Sequence, residues 1–319
     1  MSSQIRLDSS TAADRPDTLP QAPAKPLRKR LRKLTPYLFV APALLIYGSF
    51  VIYPMLDSLF VSFTNWDGMA EEYQFVGLDN YRKILADPVS VLALKNNIVW
   101  TVVMLAVPTI LGLLLALGLN RNIRGKTLFR SFFYAPAILP LVGVAGIWSW
   151  MFDPNLGLIN TTLTKLGLGA LTHQWLGDPS TALYAVMVAG IWQGLGFPMV
   201  LYLAGLQSIP TDQYEAARID GAKPLRQFWH ITMPWLMETH IVVVTLAVIA
   251  SFKVFDLIYS MTYGGPGQAT QVLASWQYFQ TFQFFHAGYG SALTWVIAVI
   301  LLVVTIPYIR IMSRRSAAS

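Results

Sequence analysis

The chain has 319 residues and a formal net charge of +7, and 55% of its residues are hydrophobic while only 12% are charged. This composition excludes the ordinary water-facing globular classes and favours a membrane protein. Cysteine is absent and the four histidines lack ligand spacing, so neither a disulfide framework nor a metal or redox centre is expected.

The first 34 residues form a polar segment. Residues 1–34 are rich in proline, serine and alanine and end in a basic run. Such a composition cannot bury a core, so we expect a disordered cytoplasmic tail. The apolar stretch that follows is long enough to span a bilayer, so we expect it to remain as an anchor rather than to be removed as a signal peptide.

Apolar segments dominate the rest of the chain, residues 35–319. A bilayer core about 30 Å thick requires ~20 consecutive apolar residues in a helix, because backbone amides in lipid must be satisfied internally. Six stretches meet this requirement, which predicts an all-α integral membrane protein. The predicted spans cover residues 36–55, 98–119, 131–152, 182–206, 241–260 and 291–308.

The basic residues lie at the ends of the apolar segments. Lys and Arg are concentrated in the N-terminal tail, in the loops after the second and fourth spans, and at the C-terminus, whereas residues 261–290 contain none. Because cytoplasmic loops retain positive charge, both termini are predicted to be cytoplasmic. This distribution explains the net charge better than a nucleic-acid interface, for which the charges would share one amphipathic face.

The cytoplasmic loop at residues 208–238 has the pattern of two short helices joined by a turn. Asp212 and Glu215 have the spacing of a capping box, and Gly221 supplies a permissive backbone for the end of the first helix. Pro224 can begin a second helix, which we expect to end before Pro234. The candidate contact residues for a partner are Tyr214, Ala217, Leu225 and Phe228.

This loop resembles that of the permease subunits of binding-protein-dependent ABC importers, in which E-A-A is followed after three residues by G and after nine more by I-x-L-P. The matching residues are Glu215, Ala216, Ala217, Gly221, Ile231 and Pro234. Met233 replaces the usual leucine and conserves its volume. Other segments of the sequence are similar to the carbohydrate-uptake branch of this family, which contains the maltose-type permeases. These segments are residues 75–81, 214–222, 255–258 and 264–266.

The resemblance implies the six-span fold of type I ABC importer permeases and a transport subunit that performs no bond chemistry. In that family the loop is a coupling helix that contacts an ATPase. The residues expected at this contact are Tyr214, Glu215, Ala216, Ala217, Asp220, Gly221, Ile231 and Pro234. The implied partners are a second similar permease, two copies of an ATPase that uses ATP and Mg²⁺, an extracytoplasmic sugar-binding protein, the sugar itself and the lipid of a bacterial inner membrane. No cofactor and no nucleic acid is expected on this chain.

The resemblance to maltose-type permeases also implies a sugar path. The residues expected to line it are Leu195, Gly196, Met199, Ser251 and Val254. Lys253 and Asp256 lie three residues apart in the fifth predicted span, where they either touch substrate or form a structural ion pair or a rim pair. Gly190 and Gly194 mark either a helix-packing face or a break in the fourth span.

Two rival functions are an ATP-independent transporter or channel and a membrane-embedded enzyme. The coupling loop disfavours the first, and the absence of clustered catalytic groups in the sequence disfavours the second. The phrase Gly125-Lys126-Thr127 is similar to the end of a phosphate-binding loop, but Asn120 stands where a glycine is required. ATP is therefore expected to be hydrolysed by another chain. The sequence leaves the individual sugar or sugar derivative open.

The predicted orientation can be tested with topology reporters. A reporter fused after Arg315, or inserted within residues 1–30, should be found in the cytoplasm, and one inserted next to Gln268 should be external, because only the first two regions are rich in basic residues. Enzymatic activity of a two-compartment reporter in intact cells measures this. The opposite labelling would exclude the six-span arrangement.

Overall fold

The computed structural model describes residues 26–121 and 123–316. Most of the predicted disordered tail, residues 1–25, lies outside this part of the chain. Residues 26–34 were also predicted to be disordered, but they form the start of a helix that begins at Pro26. The physical reason is that leucine, lysine and arginine favour helix, and a proline is well tolerated at the first helical position.

The regular secondary structure of the described residues is helical, apart from one antiparallel bridge between Thr64 and Phe75. The chain divides into two compact units, residues 1–56 and 57–319. The helices that begin in the first unit are α1 (Pro26–Tyr47) and, after a π-helical turn at Gly48–Ile52, α2 (Tyr53–Val61).

The second unit contains the remaining helices, some of which are short and lie outside the apolar segments. The N-terminal half comprises α3 (Asp79–Ala86), α4 (Pro88–Leu119), α5 (Lys126–Ile138), α6 (Leu141–Met151), α7 (Leu158–Lys165), α8 (Ala182–Gly194) and α9 (Gly196–Gln207). The C-terminal half comprises α10 (Thr211–Ile219), α11 (Pro224–Gln227), α12 (Met233–Trp235), α13 (Met237–Phe252), α14 (Asp256–Thr262), α15 (Leu273–Tyr278) and α16 (Ala287–Ser316).

Four helical segments in the described residues are long and apolar enough to cross a membrane. They are Tyr37–Val61, Pro88–Leu119, Ala182–Gln207 and Ala287–Met312. Two bent pairs bring the number to six if each pair is one span: Lys126–Ile138 with Leu141–Met151, bent by 99°, and Pro224–Trp235 with Met237–Phe252, bent by 67°. The predicted first, second, fourth and sixth spans overlap the four long segments.

The third predicted span, residues 131–152, is not a continuous helix. The chain breaks between α5 and α6, where Leu139 and Pro140 adopt extended backbone angles. A proline lacks the N–H that a helix requires, and it disfavours the helical conformation in the residue before it. The apolar character of Leu139 and Pro140 concealed this break in the hydropathy pattern.

The fifth predicted span, residues 241–260, is also interrupted. Helix α13 ends at Phe252, and α14 begins at Asp256. Lys253 therefore follows the C-terminus of one helix, and Asp256 occupies the first turn of the next. Each charge has the sign that its helix end favours, since C-termini attract cations and N-termini attract anions.

Helix α4 packs against α8, α9 and α13 and forms the centre of the second unit. Its contact with α9 depends on Gly112. A Cβ atom placed there would lie 2.8 Å from Pro198 Cβ and 2.9 Å from the backbone nitrogen of Met199. The two helix backbones therefore approach each other closely at this crossing, as small residues in membrane helices permit.

The helix crossing can be tested by adding one methyl group. Gly112→Ala should destabilise the protein by about 1–3 kcal/mol, because the new Cβ atom overlaps α9. Gly118→Ala on the same helix is the matched control, since no atom lies within 4 Å of its Cβ position and alanine favours helix. Thermal unfolding in detergent measures both variants. Equal stability of the two would contradict the close crossing.

Candidate functional site

A cavity of about 570 Å³ lies among α4, α6, α8, α9, α13 and α14. Its wall is mainly apolar, as is usual for small-molecule sites. The polar residues in the wall are Thr109, Gln193, Ser251, Lys253 and Asp256. The break between α13 and α14 forms one side of this cavity, so the interruption of the fifth span supplies its charged groups.

Four of the predicted path residues line this cavity: Ser251, Lys253, Val254 and Asp256. Lys253 and Asp256 are exposed, and neither has an ion-pair partner within 4.0 Å among the described residues. The break removes the helical spacing between them, because Lys253 follows α13 and Asp256 begins α14, and the ion pair that their spacing suggested is not formed. Whether these four residues contact a substrate stays a prediction.

The other three predicted path residues, Leu195, Gly196 and Met199, do not line the cavity. Met199 is completely buried in the core. A Cβ atom at Gly196 would lie 2.7 Å from the carbonyl oxygen of Phe133, so this glycine allows α9 to pack on α5. Gly196 and Met199 therefore serve helix packing here.

The glycine pair in the fourth span serves two purposes. Gly190 faces α4, where an added Cβ atom would lie 2.6 Å from Met104 Cε and 3.3 Å from the ring of Trp100. Gly194 has open space around it, lines the cavity and ends α8. Gly190 therefore serves helix packing and Gly194 gives room to the cavity, while the fourth span continues without a break, because the backbone of Leu195 stays helical. Gln193, which the sequence analysis did not select, is detectable as a polar residue inside an apolar span.

The helix break is supported by Asn97 of α4, which is completely buried. Its amide nitrogen donates to the carbonyl oxygen of Ser251 at 3.2 Å, and its amide oxygen accepts from the backbone N–H of Leu273 at 2.7 Å. The last carbonyls of a helix lack regular intrahelical partners, and Asn97 donates to one of them, Ser251 O, whose bond from the N–H of Val254 is long at 3.5 Å. Two adjacent asparagines at an apolar segment were an available signal for this role.

Its neighbour Asn96 holds the loop that follows α14. The Asn96 amide nitrogen donates to the carbonyl oxygens of Ala269 and Gln271, both at 2.8 Å. Asn96 and Asn97 together connect α4, the end of α13 and the start of α15. The cavity wall and the neighbouring loop are therefore held by one helix.

The loop after α9 has the predicted helix, glycine turn and helix. Gly221 has a φ of +77°, its N–H donates to Arg218 O at 3.0 Å, and the N–H of Ala222 donates to Ala217 O at 2.8 Å. These two hydrogen bonds form a Schellman motif, in which a left-handed glycine ends a helix. Glycine is required here by backbone conformation.

Two details of the predicted loop are wrong. The capping box is absent because α10 begins at Thr211 with Pro210 before it, which places Asp212 inside the first turn. The fixed φ of proline prepares the chain for this earlier start. The second helix does not end before Pro234: α11 continues through a π-helical turn at Phe228–Thr232 into α12. Pro234 lies in the first turn of α12, where its missing N–H costs little.

The predicted contact residues of this loop separate into two groups. Tyr214, Ile231 and Pro234 are half-buried, and the Tyr214 hydroxyl is hydrogen-bonded to Thr232 Oγ1 at 2.8 Å. Tyr214 and Ile231 pack on the apolar cluster around α9 and hold the two arms of the loop in place. The exposed or half-exposed group comprises Glu215, Ala216, Ala217, Asp220 and Gly221.

Exposed apolar side chains accompany the second group. Ile219 is 87% exposed and Leu225 is 70% exposed. These two side chains are therefore available for contact with a partner. Leu225 was predicted from the sequence as a contact residue, but Ile219 was not. An isoleucine two residues before the glycine turn could have indicated an exposed contact residue.

The chain is similar to known membrane-transport proteins. Residues 108–314 match the family described as binding-protein-dependent transport system inner membrane component. A probable ABC transporter permease protein of Pyrococcus horikoshii is 38% identical over 85% of this chain and 93% of its own length. A trehalose/maltose transport system permease protein of Thermococcus litoralis is 35% identical over 86% of this chain and 92% of its own.

A solved structure has the same fold. It is a chain of a bacterial alginate ABC transporter in complex with an alginate pentasaccharide-bound periplasmic protein, which superposes with a TM-score of 0.80 and 22% identity. The match covers 92% of this chain and 99% of that one. The predicted all-α membrane fold of the importer permeases is thereby confirmed.

The role of Asn97 can be tested by substitution. Asn97→Leu should destabilise the protein by roughly 1–3 kcal/mol, because the N–H of Leu273 is left unpaired and Ser251 O loses its shorter hydrogen bond. Thr101→Val on the same helix is the control, because the buried hydroxyl of Thr101 has no partner among the described residues. Only Asn97→Leu should lower the thermal unfolding temperature. A similar loss in both variants would contradict the bracing role.

Proposed function

The chain belongs to the family of inner membrane components of binding-protein-dependent transport systems, and from this premise we propose that it is a permease subunit of an ATP-driven sugar importer. The observation that carries the proposal is the loop at residues 211–235. It presents a helix, a glycine turn and exposed apolar side chains outside the apolar segments. A loop of this form is suited to receiving movement from a partner.

The proposed substrate is a sugar or sugar derivative delivered by an external binding protein. The named substrates of the Thermococcus litoralis relative, trehalose and maltose, support this class. The cavity at the broken fifth span supports an internal binding position, since a mainly apolar wall with a few polar groups fits the hydroxyls and apolar faces of a sugar. The individual sugar is left open by these observations.

The proposed assembly contains a second similar permease and two copies of a cytoplasmic ATPase, which would bind ATP and Mg²⁺. This chain would hydrolyse no ATP and bind no cofactor. It would lie in a bacterial inner membrane with both termini in the cytoplasm, as the distribution of Lys and Arg supports. The basic loop after the fourth span would then face the ATPase.

The path of movement follows from chain connectivity. Helix α9 leads into the loop and α13 leaves it, and both helices line the cavity. The hydrogen bond between Tyr214 and Thr232 joins the two arms, so a force on α10 would reach both walls. ATP and the binding protein need only stabilise one cavity orientation more than the other to shift the population between them.

The coupling role can be tested at Gly221. Gly221→Val would strain the left-handed conformation by roughly 1–2 kcal/mol without a steric clash, because no atom lies near its Cβ position. In reconstituted transporter, ATP-driven uptake and binding-protein-stimulated ATPase activity should fall together, while membrane insertion is retained.

A matched control exists at Gly167, which has a φ of +76° and equally open surroundings but follows α7. Gly167→Val should carry the same backbone strain and leave coupling intact. Replacing Ala217 with tryptophan provides a second test, because a large side chain would separate the contact surfaces. Normal uptake and ATPase stimulation in both the Gly221 and Ala217 variants would exclude the coupling assignment of this loop.

A further inference from the structure

A second cavity of about 330 Å³ lies between α3, the start of α4, α15 and the start of α16. In the described part of the chain it shares no lining residue with the larger cavity. Its volume is near the lower limit of small-molecule sites, about 300–1,000 Å³, and suits one small ligand. Under the topology proposed above, this cavity is on the external side of the membrane.

The framework of this cavity is held by Asp87. One oxygen of its carboxylate accepts from the backbone N–H of Val89 at 3.0 Å. The other accepts from the hydroxyls of Ser90 and Tyr289 and from the indole N–H of Trp276, at 2.8–2.9 Å. Burial acts to raise the pKa of Asp87, but these hydrogen bonds lower it below the usual value. The charged carboxylate therefore fixes three helices around the cavity.

Two nearly buried amides in the wall have unused hydrogen-bonding capacity. Asn80 is 4% exposed, and its amide nitrogen donates to the carbonyl oxygens of Ser62 and Thr64, so its oxygen has no partner among the described residues. Gln280 is 9% exposed, and its oxygen is hydrogen-bonded to His286 Nδ1 while its nitrogen is unpaired. Both residues line the cavity, so the free oxygen of Asn80 and the free nitrogen of Gln280 are available to a ligand or to water there.

The remaining wall residues define the chemistry of the ligand. Lys83 provides a cation without an ion-pair partner in the described residues, and Asp87 provides an anion, so the charges balance. Trp66 and Trp276 contribute flat apolar rings. An unused acceptor, unused donors and aromatic surface together match a neutral ring that carries both apolar C–H groups and hydroxyls.

We propose that this cavity binds a pyranose unit of a saccharide outside the membrane, before the saccharide reaches the larger cavity. The amides of Asn80 and Gln280 would hydrogen-bond its hydroxyls, and Trp66 would contact the face of its ring. Its external placement rests on the proposed function. The binding chemistry itself rests only on the wall of the cavity.

The test uses the absence of cysteine from the chain. Lys83→Cys places one thiol in the cavity wall, and Arg82→Cys places one beside it on α3. Arg82 is not a lining residue and its side chain is 79% exposed. The labelling rate with a membrane-impermeant maleimide is measured on the assembled transporter in proteoliposomes. The probes are millimolar trehalose and D-glucose, with glycine betaine at equal osmolarity as the non-carbohydrate control.

We expect either sugar to slow the labelling of Lys83→Cys several-fold, while Arg82→Cys and the glycine betaine samples are unchanged. Adding Gln280→Leu should remove this protection or shift it to higher sugar concentration, because an amide donor is lost. Equal labelling with and without both sugars would overturn the proposal. Protection by the sugar-free binding protein alone would also overturn it and indicate a protein-docking surface.

The same proteoliposomes separate failure of this site from failure of the proposed function. ATP-driven uptake without sugar protection at Lys83→Cys would reject the external site and leave the importer function standing. Sugar protection without ATP-driven uptake would support the site and contradict the importer function. The Gln280→Leu variant also loses the hydrogen bond to His286, so its thermal unfolding is measured beside the parent to distinguish lost binding from lost fold.

Discussion

The backbone groups at the break in the fifth span must find hydrogen-bond partners inside the protein, and the organisation of the cavity depends on this requirement. A buried group without a partner costs about 1–3 kcal/mol. Asn97 supplies a donor for Ser251 O and an acceptor for the N–H of Leu273. With these groups satisfied, α13 can end at Phe252 and place Lys253 and Asp256 at the cavity.

The same helices connect the cavity to the loop that we propose to be driven by an ATPase. The loop lies between α9 and α13, and each of these helices contributes to the cavity wall. Tyr214 and Ile231 hold the loop against the core, whereas Ile219 and Leu225 remain exposed. The residues that hold the loop against the core are thus distinct from those that are available to a partner.

Local patterns in the sequence were sufficient for the apolar segments and for the glycine turn, because each is specified by neighbouring residues. The break at Pro140 was missed because hydropathy averages over a proline. The role of Asn97 could not be derived locally, since its partners are 154 and 176 residues away in the chain. The resemblance placed Gly196 and Met199 on the sugar path, but both are packed between helices and neither lines the cavity.

Alternating access of the cavity is tested most directly by its accessibility to a label in different nucleotide states. A single cysteine at Val254, which lines the cavity, can be labelled with an impermeant maleimide from either side of the membrane in the assembled transporter. If the cavity alternates between the two sides, labelling should change from one side of the membrane to the other when the ATPase is trapped with ATP. Labelling from the same side at the same rate in both states would contradict alternating access.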